Sequence, residues 1–591
     1  MSTVKVRTES DNSSNPGSAH ASMRARVLAA VRIGSHQWPY LTFVVMAIAI
    51  GIGVLLPMGG VFYNAVFPQA GSFSLEALVT LFTRPRTVEA FKNTAILVAG
   101  ATVFALVQGV LLAWLVTRTN LPFKRMMSVF PIMPLFLPPV VGTVAWVFLL
   151  GENSGLINIA LRAVLPGNLE SGPIDIFGLG GMIWVVGLYI TPYVYLILQT
   201  SFRQYDSSFD EAARLSGSSA ITIMWRITLP ILLPAILSGA LLAFVTVMSQ
   251  FSIPVILGGP PQISVLTTEI YLELRRYPRD VTAAAALSAV TIIATAIALY
   301  FQRRVLRREK RFVTIGGKGA RQQRVDLGRW RWHAFALMVV YALVTTVAPV
   351  LAITNVSLRR YWSSDLSLDG LTLDNFDNII NGYSATWPSI TNSLVLATIG
   401  STIGLIMAVF TAYTVRRTTI RGRGTLDYLA TLPLAVPATV LGAGLLMVFL
   451  YPPFALYGTP LLLIIAYVGH HLPYGLRSAD SAFHQVSSEL EESSLVSGSG
   501  WLATMRHVTI PLIAPAIAAG WIFLFVLMSR EFSASALLAS PQTPVMALVV
   551  KDLWDAGVMP QLAAFSFIVM AICVATSIVS EILGRRAAGG R

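Results

Sequence analysis

Apolar runs of about 20 residues recur along the chain, and they constrain its fold more than any other feature. A helix of that length crosses the roughly 30 Å hydrocarbon core of a bilayer. Six such runs lie in each half, and they begin near Leu41, Thr94, Val129, Met182, Pro234, Ala284, Ala334, Ser393, Tyr428, Leu461, Pro515 and Leu562. The sequence therefore predicts an all-α, polytopic membrane protein with about 12 transmembrane helices.

The composition excludes the soluble alternatives. Of the 591 residues, 55% are hydrophobic and only 12% are charged, against a charged share of roughly a quarter in soluble domains. So few charges cannot coat several soluble domains, and so many apolar residues are incompatible with a mainly disordered chain. The single cysteine, Cys573, can form neither an internal disulfide nor a cysteine metal cluster.

The formal net charge of +14 is concentrated in three segments of the chain. Residues 302–331 contain eleven Lys or Arg against two acidic residues, and both chain ends are basic. Each segment adjoins an apolar run, which is the distribution of cytoplasmic loops and not that of a nucleic-acid-binding face. We therefore expect both termini in the cytoplasm, the lipid bilayer as the surroundings, and no nucleic-acid partner.

The two halves of the chain repeat one another. An offset of 299 positions aligns Asn93 with Asn392 and Arg118 with Arg417, and the offset after the third run is 281. Because each copy has an even number of runs, both copies would have the same orientation in the membrane. The predicted division is a disordered cytoplasmic tail 1–37, a first repeat 38–301, a basic cytoplasmic linker 302–331, a second repeat 332–584 and a cytoplasmic tail 585–591.

A matched motif occurs in the loop after the fourth run of each copy. The first reads Glu211-Ala212-Ala213, then Gly217, then Ile227-Thr228-Leu229-Pro230, and the second reads Glu492-Ser493-Ser494, then Gly498, then Val508-Thr509-Ile510-Pro511. Ser207 and Ser488 each precede an acid by three residues, which predicts a capping box at the start of a short helix. The glycines predict its end, and the prolines predict the approach to the next span. Such a rigid helix between two spans can pass motion to a docked partner.

The doubled motif resembles the EAA loop of inner-membrane permease subunits of binding-protein-dependent ABC importers, and the fused layout resembles the ferric-iron type. The first copy matches the family pattern at every fixed position, whereas Ser493 and Ser494 replace the alanines in the second. The resemblance implies a type I ABC importer permease fold in a bacterial inner membrane, with two copies of an ABC ATPase subunit and an extracytoplasmic substrate-binding protein as partners. The coupling residues implied are Glu211, Ala212, Ala213, Gly217, Pro230, Glu492, Gly498 and Pro511.

The chain contains no phosphate-binding loop of the form Gly-x4-Gly-Lys-Ser/Thr. We therefore expect a non-catalytic transport subunit without a cofactor of its own, with ATP bound and hydrolysed by separate partner chains, and we assign no catalytic or metal-binding residues. A secondary transporter of the major-facilitator type is the alternative, because it also has six plus six spans. The loop from Arg118 to Arg125 lacks the Gly-x3-Asp-Arg motif of that class.

Polar residues within the apolar runs are candidates for the translocation pathway, because ionisable groups are costly in a membrane. Arg530 and Glu531 fall in the eleventh run, and Ser249 and Gln250 occupy the matching position in the fifth. The charged pair could line a cavity or its outer gate, bond to a neighbouring helix, or reach the outer interface. For His470-His471, a hydrogen-bonded packing pair is favoured over metal ligands.

Further polar and proline positions carry structural expectations. Asn93 and Asn392 are expected to cap the second and eighth spans. Kinks are expected in the third and ninth spans at Pro131, Pro134, Pro138, Pro139, Pro433 and Pro437. By resemblance the cargo is ferric iron, with thiamine or an aminophosphonate as alternatives, and its selection is expected to lie in the separate binding protein.

Overall fold

The computed structural model describes residues 40–68, 71–166, 170–206, 208–309, 325–363 and 370–589. Within these ranges the only β pairing consists of two isolated bridges, and the rest is helix and connecting loop. The all-α prediction is therefore confirmed. The predicted tail 1–37 and residues 310–324 of the predicted linker lie outside the described ranges.

The first half contains eight main helices. They are α1 (Tyr40–Val66), α2 (Pro85–Arg118), α3 (Pro139–Leu150), α4 (Leu179–Gln204), α5 (Ser208–Leu215), α6 (Met224–Met248), α7 (Leu266–Arg275) and α8 (Val281–Glu309). Shorter helical segments are Glu76–Thr80, Lys124–Met127, Phe130–Phe136, Leu156–Val164, Ala220–Ile223 and Ser252–Leu257.

The second half repeats this series. Its main helices are α9 (Trp330–Ser357), α10 (Thr386–Arg417), α11 (Ala438–Phe449), α12 (Pro460–Gln485), α13 (Ser488–Val496), α14 (Trp501–Ser529), α15 (Met546–Asp555) and α16 (Met559–Gly589). Shorter segments are Asp374–Asp377, Asn378–Gly382, Arg423–Thr431, Leu432–Ala435 and Ser535–Leu538. Each of α1–α8 thus has a counterpart among α9–α16, which supports the repeat seen in the sequence.

Nine helices in the described part of the chain are long and apolar enough to span a membrane, and two bent pairs raise the number to eleven. The bent pairs occupy the positions of the third and ninth predicted spans, and they turn by 97° before α3 and by 106° before α11. Pro138, Pro139 and Pro437 stand at these turns, so the expected kinks are confirmed there. Pro131, Pro134 and Pro433 lie within the short helical segments before the turns. The remaining predicted span is α12, whose His470, His471 and Arg477 make it more polar than the others.

Four of the long helices contain a five-residue π-helical turn that ends two residues before a proline. These turns precede Pro57, Pro230, Pro349 and Pro511. A proline has no N–H to donate and its ring displaces the carbonyl of the preceding turn, and a π turn with one extra residue accommodates both effects. Pro230 and Pro511 therefore lie inside the continuous helices α6 and α14, after helix formation has already begun.

The two halves exchange their first helices. α1 packs against α11 of the second half, and α9 packs against α3 of the first half. Hydrogen bonds and rings join the halves as well, since Trp362 Nε1 donates to the Ser154 carbonyl at 3.1 Å and the Trp362 ring meets Phe148. The halves therefore form one interlocked bundle, and the seam between them runs through its core.

Asn93 and Asn392 are not helix caps, so that prediction is wrong. They lie inside α2 and α10, and each donates to a backbone carbonyl just before α7 or α15, that of Ser264 or Pro544, at 3.0 Å. The helices begin several residues earlier than the apolar runs do, at Pro85 and Thr386. These asparagines therefore hold the starts of α7 and α15 against α2 and α10.

Candidate coupling loops and the seam between the halves

The two predicted coupling loops have the same backbone. α5 ends at Leu215 and α13 at Val496, and the chain then turns at Gly217 and Gly498, with φ of +81° and +89°. The Gly217 N–H donates to the Arg214 carbonyl at 2.9 Å, and the next N–H donates five residues back, to Ala213, at 3.0 Å. The second loop has the same two bonds, at 3.1 and 3.2 Å. This helix ending needs a left-handed residue, which explains glycine at both positions.

The capping prediction is wrong for the second short helix, and for the first it falls on a residue that the structure does not describe. Ser207 lies outside the described residues. In the second loop the cap is Ser487 and not Ser488, because the Ser487 hydroxyl accepts the Glu489 N–H at 3.3 Å. Ser487 has the extended backbone of a capping residue, whereas Ser488 is already the first residue of α13.

A buried ion pair anchors the first loop to α2. Arg118, the last residue of α2, donates from Nη2 to the Asp210 carboxylate. The Tyr205 and Thr228 hydroxyls donate to the other carboxylate oxygen at 2.7 and 3.3 Å. Arg118 and Asp210 are both buried. Since a buried charge is tolerated only when it is paired and hydrogen-bonded, Asp210 fixes α5 against the end of α2.

The second loop has the equivalent anchor in a looser form. Arg417 Nε lies 3.4 Å from Glu491 Oε1, and Arg417 Nη2 donates to the Phe483 and Val486 carbonyls at 3.2 and 2.6 Å. Burial raises the pKa of Glu491, while the nearby Arg417 opposes that shift. The Arg417 charge is therefore shared among three acceptors, and Glu491 is compensated less fully than Asp210.

These anchors were not predicted, although the repeat contains the signal for them. Arg118 and Arg417 match at the offset of 299, and Asp210 and Glu491 match at 281. The partners lie 92 residues apart in the first half, so only the fold shows that they meet. Glu211 is partly buried and Glu492 is exposed, and neither has an ion pair or hydrogen bond among the described residues.

Each short helix exposes apolar side chains at matching positions. Phe209 and Leu490 are 53% and 49% exposed, and Leu215 and Val496 are 91% and 74% exposed. Ala212 is exposed between them, and Ala213 is partly buried. Exposed apolar groups therefore occur at the same two positions of both anchored helices. We call these four residues the apolar contacts of α5 and α13.

The pathway candidates lie just beyond the ends of α6 and α14, and not within a span as predicted. Ser249 and Arg530 are the residues at which those helices end. The next aromatic residues, Phe251 and Phe532, are buried and stack on each other with ring centroids 5.4 Å apart. They occupy equivalent positions in the two halves, so the two helix breaks meet at the seam.

The polar residues at these breaks are held by the protein itself. Arg530 donates to the Leu135 carbonyl of the other half, which matches the expected alternative of a structural bond. Glu531 accepts the Ala534 N–H at 3.1 Å and lies 3.6 Å from His471 Nε2. The Ser249 hydroxyl donates to the Val245 carbonyl at 2.9 Å. At Gln250 it is the backbone carbonyl that accepts the Thr267 hydroxyl, at 2.6 Å.

The two histidines of α12 pack as neighbours. Their ring centroids are 4.9 Å apart, and His471 Nδ1 lies 3.0 Å from the Tyr467 carbonyl. The two rings therefore contact each other, and the hydrogen bond of His471 is made to the backbone of the preceding turn. The described residues contain no group of three or more His, Cys, Asp or Glu that could hold a metal ion.

Comparison with known proteins agrees with this doubled architecture. The sequence model of the binding-protein-dependent transport system inner membrane component family matches twice, at residues 105–311 and 400–589. The chain belongs to this family. It is a multi-pass membrane protein and a permease subunit of a binding-protein-dependent ABC importer, and the major-facilitator alternative is not favoured.

Curated relatives of this permease include ferric transport proteins. A putative ferric transport system permease protein, FbpB 1, of Haemophilus influenzae is 25% identical over 493 residues, covering 83% of this chain and 76% of the relative. A probable ABC transporter permease protein, y4fN, of Sinorhizobium fredii is 29% identical over 573 residues, covering 93% and 97%. A molybdenum transport system permease protein, ModB, of Mycobacterium bovis is 27% identical over 261 residues, covering 44% and 91%.

Among solved structures, the permease is similar to a bacterial ABC transporter involved in the import of the acidic polysaccharide alginate. The likeness covers 44% of this chain and 96% of that chain, with a TM-score of 0.38 and 16% identity.

Proposed function

We propose that this permease receives the motion of two ABC ATPase subunits through α5 and α13 in the cytoplasm, and uses it to open a pathway at the seam. The observation that carries the proposal is the matched pair of short helices, each anchored by an Arg–carboxylate pair that is buried in the first loop and partly buried in the second, and each with two exposed apolar contacts. An exposed apolar pair on a rigid support is suited to binding a partner protein.

The geometry gives the motion a route. At its start, α5 is held to α2 by Asp210, and at its end the chain turns at Gly217 and continues into α6. α6 then runs as one helix to the break at Ser249, next to the Phe251–Phe532 contact. The second half has the same route through α13 and α14. A displacement of α5 relative to α13 is therefore carried along two helices to the point where the halves touch.

Energy and cargo selection are assigned to partner chains. The chain has no phosphate-binding loop, so ATP would be bound and hydrolysed by two ATPase subunits, one at each loop. An extracytoplasmic binding protein would deliver the cargo. We propose ferric iron as the cargo because two related full-length permeases bear ferric-transport names. Thiamine and an aminophosphonate remain the alternatives.

The proposed orientation places both termini and the basic segments in the cytoplasm of a bacterium, with the chain in the inner membrane. The support is the concentration of Lys and Arg in 302–331, because cytoplasmic loops carry the excess of basic residues. The first coupling loop adjoins this linker, since Val325 pairs with Thr119 just beyond Arg118, which is bound to Asp210 of that loop.

Charged substitutions of the apolar contacts test the proposal. We expect Leu215→Asp combined with Val496→Asp to reduce ATPase co-purification and ferric-ion uptake by about tenfold or more, because a carboxylate cannot be buried unpaired in an apolar interface. Val164→Asp is the matched control, since Val164 is 82% exposed and also ends a short helix, but one outside the coupling loops. Full ATPase binding by the double variant would contradict the proposal.

A further inference from the structure

The described end of the basic linker, from Val325, is bound to the end of α2. The Val325 N–H donates to the Arg118 carbonyl at 2.7 Å, and the Val325 carbonyl accepts the Asn120 N–H at 3.2 Å. These two bonds form the isolated parallel bridge between Thr119 and Val325. The bridge joins residues more than 200 positions apart, one at the end of α2 in the first half and one within the linker between the halves.

Side chains reinforce this contact. The Asn120 side-chain NH2 donates to the Asp326 carboxylate, and the Asn120 side-chain oxygen Oδ1 accepts the Leu327 N–H at 3.0 Å. Asp326 also accepts the Gly328 N–H at 2.9 Å, and Leu327 packs against the apolar core. We call the contact of Thr119 and Asn120 with residues 325–327 the linker clasp.

The clasp and the first coupling loop share one residue. The Arg118 carbonyl is held by Val325, and the Arg118 guanidinium is held by Asp210 at the start of α5. Arg118 is the last residue of α2, where backbone carbonyls have no partner within the helix. The clasp supplies that partner, and so it opposes fraying of the turn that carries the guanidinium.

We propose that the linker clasp positions the first coupling helix, with Asn120, Val325 and Asp326 acting through Arg118. When the clasp is closed, the guanidinium is held against Asp210 and α5 moves together with α2. When it opens, the last turn of α2 loosens, and motion of α5 is transmitted less completely. The joint between the halves is therefore a control point of coupling. This inference rests on the proposed coupling function of α5.

A cross-link tests the geometry independently of transport. Cysteines replace Asn120 and Asp326 in a full-length Cys573→Ser background, and a protease site is inserted within residues 310–324. A short bismaleimide is expected to keep the two fragments together on a denaturing gel after cleavage. Two separate fragments would overturn the clasp. A second pair, Asn120→Cys with Asp374→Cys, gives the background level, because Asp374 is exposed on the second fragment and lies past the other end of α9 from the clasp.

A coupling assay tests the role. We expect Val325→Pro, which removes the N–H that holds Arg118, and the milder Asn120→Ala to raise the ATP hydrolysed per ferric ion imported by about fivefold, the effect of one lost hydrogen bond. Thr372→Pro removes the corresponding N–H beside the other isolated bridge, and Asn381→Ala removes another exposed Asn–Asp bond. Both controls should leave the ratio unchanged.

Double variants show which loop the clasp serves. Val325→Pro is expected to change the ATP hydrolysed per ferric ion little further in a Gly217→Val background, because the effects of coupled sites are not additive. In a Gly498→Val background its effect should add in full, because the effects of separate sites are additive. Full additivity with Gly217→Val, or an unchanged ratio for Val325→Pro while Gly217→Val uncouples, would overturn the clasp alone. An unchanged ratio for Gly217→Val and Gly498→Val would overturn the proposed function as well.

Discussion

At the scale of single residues, each coupling loop is held by an Arg–carboxylate ion pair. The two pairs occupy equivalent positions of the repeat, but their carboxylates have different numbers of hydrogen-bond donors. Asp210 accepts three side-chain donors, from Arg118, Tyr205 and Thr228. Glu491 lies 3.4 Å from an arginine that also serves two carbonyls. The first loop is therefore anchored more firmly, and removing the charge should have different costs in the two halves.

We predict that Asp210→Asn lowers the free energy of unfolding by about 2 to 4 kcal/mol, because it leaves Arg118 buried without its counter-ion. Glu491→Gln should cost less than about 1 kcal/mol, since burial already opposes the Glu491 charge. Thermal unfolding of the purified permease measures both. Asp480→Asn, which breaks the exposed pair with Arg416, is the control and should be nearly neutral. Equal decreases in the free energy of unfolding for Asp210→Asn and Glu491→Gln would contradict the prediction that the first ion pair is the stronger.

The raised pKa of Glu491 predicts a pH dependence with a defined sign. A carboxyl group with a higher pKa in the folded state binds a proton more readily when folded, so its stabilising contribution is present at low pH. That contribution is lost as the pH rises from about 4.5 through the raised pKa. We therefore expect the difference in melting temperature, Glu491→Gln minus the unsubstituted permease, to increase as the pH rises over this range. A difference that stays constant with pH would be inconsistent with the shift.

At the scale of elements, the coupling helices depend on how each one ends. Gly217 and Gly498 are left-handed and nothing approaches the position of a β-carbon at either. A side chain there would meet strain in the backbone and no steric clash. The ends of α5 and α13 are thus set by local conformation and not by packing.

We predict that Gly217→Val and Gly498→Val each cost about 1 to 2 kcal/mol in the left-handed conformation. The strain should straighten the turn, displace the coupling helix and raise the ATP hydrolysed per ferric ion imported. Gly500→Val is the matched control, because Gly500 lies in the same loop with open space around it and a φ of −69°. Uncoupling by the control to the same extent would show that bulk, and not φ, is responsible.

The sequence specified the elements better than it specified their contacts. The apolar runs located the spans, and the glycines of the two motifs located the ends of α5 and α13, because length, hydropathy and φ preference are local properties. Near-right-angle breaks at Pro138 and Pro437 exceed what a proline alone dictates. The roles of Asn93, Arg118 and Asp210 depend on partners far along the chain, and no local pattern contains that information.

At the scale of the whole molecule, the seam joins the two halves through equivalent groups. Phe251 and Phe532 stack where α6 and α14 have just ended, and Arg530 reaches the carbonyl of Leu135 in the other half. The contact lies at the far end of both proposed routes of motion. Separation of the halves at this point would have to break the aromatic contact first.

We predict that Phe251→Leu or Phe532→Leu weakens closure of the seam and raises ATPase activity without the binding protein by about twofold to tenfold, the range expected from losing one aromatic pair. ATPase assays of the complex in liposomes, with and without the binding protein, measure this. Phe148→Leu is the control, because the Phe148–Trp362 pair also joins the halves but lies away from the helix breaks. A larger rise for the control would place closure elsewhere.

The exchange of α1 and α9 has a consequence for biogenesis. Until the second half has been synthesised, the surface of α3 that packs against α9 is uncovered. The surface of α1 that packs against α11 is uncovered as well. We expect these two contacts to form only after the second half has been synthesised. Fusion into one polypeptide supplies the two halves in equal number, so each first helix has its partner helix in the same chain.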